Sequence, residues 1–187
     1  SKKVCHHLHL PMQSGSSRIL KIMNRRYDKE NYLELVDKIR KAVPDISLTT
    51  DIIVGFPGET EEEFAVTRRF LEKVDFFEMH VFKYSRRQGT VAASMENQVP
   101  EAVKAVRSGE LLELEKRQSA AYREGYIGKE ITILTEEARE INGERYRIGH
   151  TDTYVKAAVP DEKAEGNMLV AGKAVKLLTE EILLLES

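Results

Sequence analysis

Eight residues, Ser47 to Val54, constrain the fold more than any other stretch of the chain. They are mostly apolar and rich in β-branched side chains, and they stop abruptly at Gly55-Phe56-Pro57-Gly58. Such a run reads as a buried strand of a parallel sheet covered by helices. Thr60, with Glu63 three residues later, then spells a helix-capping box, behind which Phe64, Thr67, Phe70 and Leu71 mark an inner face. Phe76 to Tyr84 reads as the next strand. Upstream, Val4 to Met12 alternates histidine and apolar residues around Pro11 and reads as a short strand. Gln13 to Ser17 is a turn before a helix over 18–23. Asp28 caps a further helix carrying Tyr32, Leu35, Val36 and Ile39, with Pro44 just beyond its end. The strand–helix–strand–helix–strand order predicts an α/β fold built from βα units.

From Pro100 to Tyr126 the periodicity is helical, with Val103, Val106, Leu111, Leu114, Gln118 and Tyr122 tracing one face and charges elsewhere, as in an exposed linker helix. After Gly128 the character changes. Short strand candidates at 130–134, 145–149, 154–159, 168–176 and 182–185 are separated by turn signals such as Asn142-Gly143 and Glu165-Gly166-Asn167. Five such strands predict a small antiparallel barrel of the OB-like kind. The expected organisation is a partial α/β domain with its linker helix over residues 1–126 and a β-barrel over 127–187.

Composition narrows the function classes. The 187 residues are 41% hydrophobic and 32% charged, which is the balance of a folded globular chain. Net charge is -2, so any nucleic-acid surface must come from local clusters of Lys and Arg. No run approaches the ~20 apolar residues of a membrane span, and a cytoplasmic, membrane-free protein is expected. Cys5 is the single cysteine, which excludes an internal disulfide. Ser1-Lys2-Lys3 runs almost at once into a strand, so the sequence is expected to begin inside a larger protein.

Three strand ends are placed to bind a ligand: Pro11 to Gly15, Gly55 to Thr60 and Lys83 to Arg87. In parallel α/β architectures ligands sit outside the carboxyl ends of the strands. By spacing alone Gly55 to Gly58 reads first as a tight βα turn. Asp51, a carboxylate inside an apolar strand, is either a structural partner or a ligand contact. His6, His7 and His9 alternate between faces and read as packed or surface histidines, with no metal expected. Lys21, Arg25, Arg26, Arg86 and Arg87 are phosphate contacts or a solvated face.

Taken together, His-Leu-His-Leu-Pro-Met-Gln-Ser-Gly-Ser (7–16), Leu-Lys-Ile-Met-Asn-Arg-Arg-Tyr (20–27), Thr-Thr-Asp-Ile-Ile-Val-Gly-Phe-Pro-Gly-Glu-Thr-Glu-Glu-Glu-Phe (49–64) and Val-Phe-Lys-Tyr-Ser-Arg-Arg-Gln-Gly-Thr (81–90) resemble, in order and spacing, the second half of the radical-SAM methylthiotransferases. The region after residue 128 resembles the TRAM domain that closes those enzymes. The resemblance implies the C-terminal half of a radical-SAM partial (β/α) barrel followed by an RNA-binding β-barrel. Gly149-His150-Thr151 with Tyr154-Val155-Lys156, and His80-Val81-Phe82, look most like the branch that adds a methylthio group to C2 of N6-threonylcarbamoyladenosine at position 37 of tRNA. The isopentenyladenosine branch, the ribosomal-protein branch and a non-catalytic tRNA-binding module are the alternatives.

It further implies S-adenosyl-L-methionine and two 4Fe-4S clusters in the full-length protein. Gln13, Ser14, Asp51, Ile53, Gly55, Phe82 and Lys83 are the implied cofactor contacts. Arg26, Tyr84, Ser85 and Arg86 are expected at the substrate mouth. Arg147, His150, Tyr154 and Lys156, with Arg145, Tyr146 and Lys173 nearby, are expected to face the tRNA anticodon stem-loop, although Tyr146 and Tyr154 read equally as core or cross-strand residues. The Cys-x-x-x-Cys-x-x-Cys motif of the family is absent from this sequence, so no catalytic or metal-ligating residue is assigned to the chain, and the chain alone is expected to be inactive. Open sheet edges imply homodimerisation or domain exchange when the half barrel stands alone.

Overall fold

The computed structural model describes residues 3–186; Ser1 and Lys2, where a start inside a larger protein was expected, and Ser187 lie outside the described residues. Two compact units emerge, Leu8–Gln118 and a second that runs from Ser119 onward and includes the segment ending at His7.

The first unit is built on three strands, β1 (His7–His9), β2 (Ser47–Val54) and β3 (Glu78–Lys83), in the order β1-β2-β3. Helix α1 (Ser17–Ile22) and helix α2 (Lys29–Ala42) connect the first two strands, and α3 (Glu61–Val74) connects the second and third. The β2–β3 pairing is parallel, with Asp51 opposite His80 and Val54 opposite Lys83. Alternation along β2 explains the layers. Leu48, Ile52 and Val54 point into a core shared with Leu20, Tyr32, Val36, Phe64, Phe70, Leu71 and Phe76. Asp51 and Ile53, on the other side, are only half-buried.

The regular part of β1 is shorter than its sequence pattern because Pro11 has no N–H to give the ladder. Side chains take over the pairing. Thr50 donates its hydroxyl to the Leu10 carbonyl (2.7 Å) and accepts from the Met12 amide (2.9 Å), while the Tyr32 hydroxyl also reaches Leu10 (2.7 Å). Backbone pairing resumes where the Gln13 amide meets the Asp51 carbonyl at 2.8 Å.

Both expected caps form. Asp28 and Asn31 make a reciprocal box at the start of α2, and Thr60 and Glu63 make one at the start of α3. After a short helix α4 (Val91–Ser94), helix α5 (Glu101–Glu124) runs from the first unit into the second. Its buried stripe differs from the expected one: Lys104, Arg107, Leu111 and Leu114 turn inward, whereas Val106 is exposed. Among the described residues no helix is long and apolar enough to cross a membrane.

The second unit contains a closed barrel of β4 (Glu130–Ile141), β5 (Glu144–His150), β6 (Lys156–Pro160), β7 (Leu169–Leu177) and β8 (Leu183–Glu186), in the order β4-β5-β6-β8-β7. Asn142 and Gly143 both adopt positive φ, the conformation a two-residue hairpin needs. Strand β4 runs well past its expected end, through a register shift between Thr135 and Ala138. The expected all-antiparallel barrel is corrected at one seam. The β6–β8 pairing is parallel, because strand directions cannot alternate all the way round a closed ring of five strands. Tyr146, Ile148, Ala158 and Ile182 form part of the barrel core.

Candidate functional site

The strand-end loops of the first unit are fixed by side chains from α3 and α5. Gly15 packs against α3 so closely that a Cβ there would lie 2.7 Å from the Thr67 Cα, and its amide donates to the Thr67 hydroxyl at 3.1 Å. Ser16 caps α1 and donates to Glu63 at 3.0 Å, while Arg18 grips the same carboxylate with two nitrogens at 2.7 and 2.6 Å. One acidic residue therefore caps α3, holds the first loop and pairs with an arginine. The Arg18 guanidinium, helped by the Thr60 amide and the Ser16 hydroxyl, outweighs desolvation and holds the Glu63 carboxyl at about 2.

The Gly55–Glu59 loop is held from inside. Gly55 has φ +69°, and any Cβ there would collide with the Lys104 side chain at 2.4 Å. Its amide donates to Glu59 at 2.7 Å, and the same carboxylate oxygen is 2.7 Å from Arg107. Both partners are almost fully buried, with 1% and 6% of their side-chain surfaces exposed. Burial pushes the Glu59 carboxyl up, against the Gly55 amide and Arg107, which pull it down. Lys104 donates to the Tyr84 carbonyl at 3.0 Å, so the same helix braces the end of β3.

Placed on this frame, the expected cofactor residues separate. Gln13 (φ +70°), Ile53, Gly55, Phe82 and Lys83 lie at or near the strand ends, with Phe82 53% exposed. Ser14 is fully buried, its hydroxyl accepting from the Ser16 amide at 3.2 Å and lying 3.5 Å from Thr67, so it shapes the loop from within. Asp51 is a residue of the sheet face whose carboxylate lies 3.3 Å from the His9 Nε2. Lys83 pairs with Glu101 at 2.5 Å. Of the expected mouth residues, Arg26, Ser85 and Arg86 are exposed, and Arg86 donates to the Ala93 carbonyl at 2.6 Å. Tyr84 packs edge-on against Phe56, with ring centroids 5.3 Å apart. A cleft of about 660 Å³ is lined by Arg86, Gln88, Thr90 and Ser94 of the segment that follows.

In the second unit, Tyr146 is a buried core residue with its hydroxyl on Glu144. Arg147 is only 21% exposed and pairs with Asp161 at 2.8 Å. His150 and Tyr154 do come together, their rings stacked at 4.7 Å, and His7 stacks on the same tyrosine at 4.7 Å. Tyr154 has φ +68°, which ends the extended run and delays β6 to Lys156. Lys156 faces His150 in register and is exposed. Sequence reasoning missed Lys104 and Arg107, because charged residues on a helix pattern ordinarily mark a solvated face, and Glu59, because a loop carboxylate ordinarily faces water. The Gly-Phe-Pro-Gly string was the only available signal that something must fill the space behind the loop.

Comparison with known proteins adds the following. Residues 1–71 match the model of the Radical SAM superfamily. Over 141 residues, 75% of this chain, the sequence is 55% identical to a tRNA-2-methylthio-N(6)-dimethylallyladenosine synthase from Acetivibrio thermocellus, covering 29% of that protein. Over 178 residues, 95% of the chain, it is 43% identical to a threonylcarbamoyladenosine tRNA methylthiotransferase from Bacillus subtilis, covering 38% of it. The chain thus spans well under half the length of these curated relatives. Among solved structures, coproporphyrinogen III oxidase from Escherichia coli, described as a radical SAM enzyme, has a similar fold, with a TM-score of 0.51 at 16% identity over 77% of this chain and 41% of that one.

The Arg18–Glu63 contact carries a pH dependence. A carboxyl lowered on folding contributes stability above its unfolded pKa, and that contribution is lost as the pH falls toward its folded value, here between about pH 5 and 2. Thermal unfolding of the wild type is expected to weaken more steeply across that window than unfolding of Glu63→Gln, which keeps the cap but not the charge. Parallel pH profiles for the two proteins would show that the pair contributes nothing.

Proposed function

Because the chain belongs to the radical-SAM tRNA methylthiotransferase family, we propose that it forms one wall of the S-adenosyl-L-methionine pocket and the tRNA-binding barrel of a longer enzyme. The observation that carries this reading is the braced Gly55–Glu59 loop. Its positive-φ glycine and buried Glu59–Arg107 lock leave a rigid backbone edge at the carboxyl end of β2, where parallel α/β folds bind ligands. The exposed Phe82 ring and half-buried Ile53, opposite each other in the β2–β3 register, offer an apolar shelf suited to an adenine ring. Gln13, buried and with φ +70°, turns the chain at the neighbouring strand end. In the whole protein, S-adenosylmethionine and 4Fe-4S clusters supply the radical chemistry. With Cys5 its single cysteine, the chain does not itself supply a three-cysteine ligand set, and we assign it no activity on its own.

Of the family's substrates, N6-threonylcarbamoyladenosine in tRNA is favoured because similarity to the B. subtilis enzyme continues through the barrel, across 95% of the chain. The higher identity to the dimethylallyladenosine synthase extends over 75%. Mass spectrometry of tRNA nucleosides from cells lacking the full-length gene decides. Loss of the methylthio group from threonylcarbamoyladenosine, restored by the gene, is expected. Loss confined to the isopentenyl nucleoside would move the protein to the other branch, and no loss would remove the assignment.

The barrel is the TRAM-like RNA-binding part. From Ser119 onward there are thirteen acidic and nine basic residues, so bulk charge does not drive RNA binding and the contact must be local. Lys156 beside the His150–Tyr154 stack supplies one phosphate contact next to aromatic surface. Anisotropy titrations with an anticodon stem-loop should show salt-dependent affinity, with Lys156→Ala lowering the slope of log K against log salt by about 1. Salt-independent binding, or binding unchanged when Arg147→Ala and Lys156→Ala are combined, would contradict the assignment.

A further inference from the structure

The face of the three-stranded sheet opposite the helical core gathers three residues that the proposed function does not need. His9 comes from β1, Asp51 from β2 and His80 from β3. Each offers one ligand atom, and the three atoms lie within 4.8 Å of one another. We propose that His9, Asp51 and His80 form a binding site for a borderline divalent transition-metal ion of the zinc or ferrous type.

Strand register creates the cluster. Asp51 is directly opposite His80 in the parallel β2–β3 pair, which places their side chains on one face at one level. His9 reaches the same level from the neighbouring strand, its Nε2 3.3 Å from the Asp51 carboxylate and its ring centroid 5.9 Å from that of His80. Metal bonds of about 2.0–2.2 Å set neighbouring ligand atoms about 3.0–3.5 Å apart, so the first pair already has the required spacing. The remaining gap closes with a rotation of the exposed His80 ring.

The orientation of His9 provides a second, independent argument. Its Nδ1 lies 2.9 Å from the hydroxyl of the buried Thr49. Donation from Nδ1–H to that oxygen is the outer contact that metal-bound histidines ordinarily make. In that tautomer the Nε2 lone pair faces the Asp51 carboxylate 3.3 Å away, two acceptors that a cation between them would hold together. Two imidazoles and one carboxylate suit Zn2+, Fe2+ or Co2+ and disfavour Mg2+ and Ca2+, which prefer all-oxygen sets. Three protein ligands also leave a position open to water or a further ligand.

The inference goes beyond the proposed function and does not rest on it, since the test uses neither S-adenosylmethionine nor tRNA. Co2+ is titrated into the metal-free chain while its d–d absorption is followed, with Zn2+ as competitor. One equivalent is expected to bind and to be displaced by Zn2+. His80→Ala and Asp51→Asn should each weaken binding at least tenfold, and Thr49→Val, which removes the outer contact, by about tenfold. Cys5→Ser and His150→Ala should leave it unchanged. His80 is exposed, so its variant keeps the test informative should the Asp51 variant fold poorly. Binding of less than one equivalent, binding unaffected by His80→Ala, or binding lost in His150→Ala would overturn the proposal and leave His9 and Asp51 as an ordinary ion pair.

Discussion

A buried ion pair, Glu59 with Arg107, is the constraint on which the rest of the first unit depends. The geometry of the Gly55–Glu59 loop follows from it. The Glu59 carboxylate reaches back to the Gly55 amide, and Arg107 holds that carboxylate while also bonding the Glu59 carbonyl at 3.2 Å. Arg107 further lies over the Phe64 ring, 5.3 Å from its centroid, and pairs with Glu61 at 3.1 Å. A charge pair this deep costs several kcal/mol of desolvation per ion, returned only when its geometry is good and its remaining hydrogen-bonding capacity is used. Here the Gly55 amide, the Glu59 carbonyl and the Glu61 carboxylate take up most of that capacity, and the Arg107 Nε is left without a hydrogen-bond partner among the described residues. The pair therefore specifies one loop conformation, and the end of β2 is held as a fixed edge.

The fold was legible where local chemistry and tertiary structure agree. The β-branched run of β2 emerged with its expected limits, and the Thr60–Glu63 box starts α3 as its sequence requires. Legibility failed where residues act against type. Lys104 and Arg107 read as solvent-facing charges, yet they line the inner face of α5, because the loops they brace offer carbonyls and a carboxylate in place of apolar surface. Pro11 shortened a strand that alternation alone would extend. Tyr154 looked like the start of β6, but its left-handed backbone makes it a corner.

The candidate sites were legible in part. Gln13, Gly55 and Phe82 fall at strand ends because the βα pattern alone dictates where those ends lie. The burial of Ser14 was not legible because its turn folds onto α3, a long-range contact that spacing does not encode. The gathering of His9, Asp51 and His80 was invisible because it depends on the register of three strands separated by about thirty to forty residues each. The barrel shows the same limit. His150 and Tyr154 were expected on one face, whereas the second stacking partner, His7, comes from the far end of the chain.

The most direct test of the account is a double-mutant cycle on Glu59 and Arg107, using Glu59→Gln, Arg107→Met and the pair together, with unfolding free energies from urea titration. Leaving either charge buried without its partner costs about 3–5 kcal/mol. The double variant is expected to cost much less than the sum of the single ones, with a coupling energy of about 2 kcal/mol or more. Additive effects within about 0.5 kcal/mol would contradict the claim that this pair sets the loop.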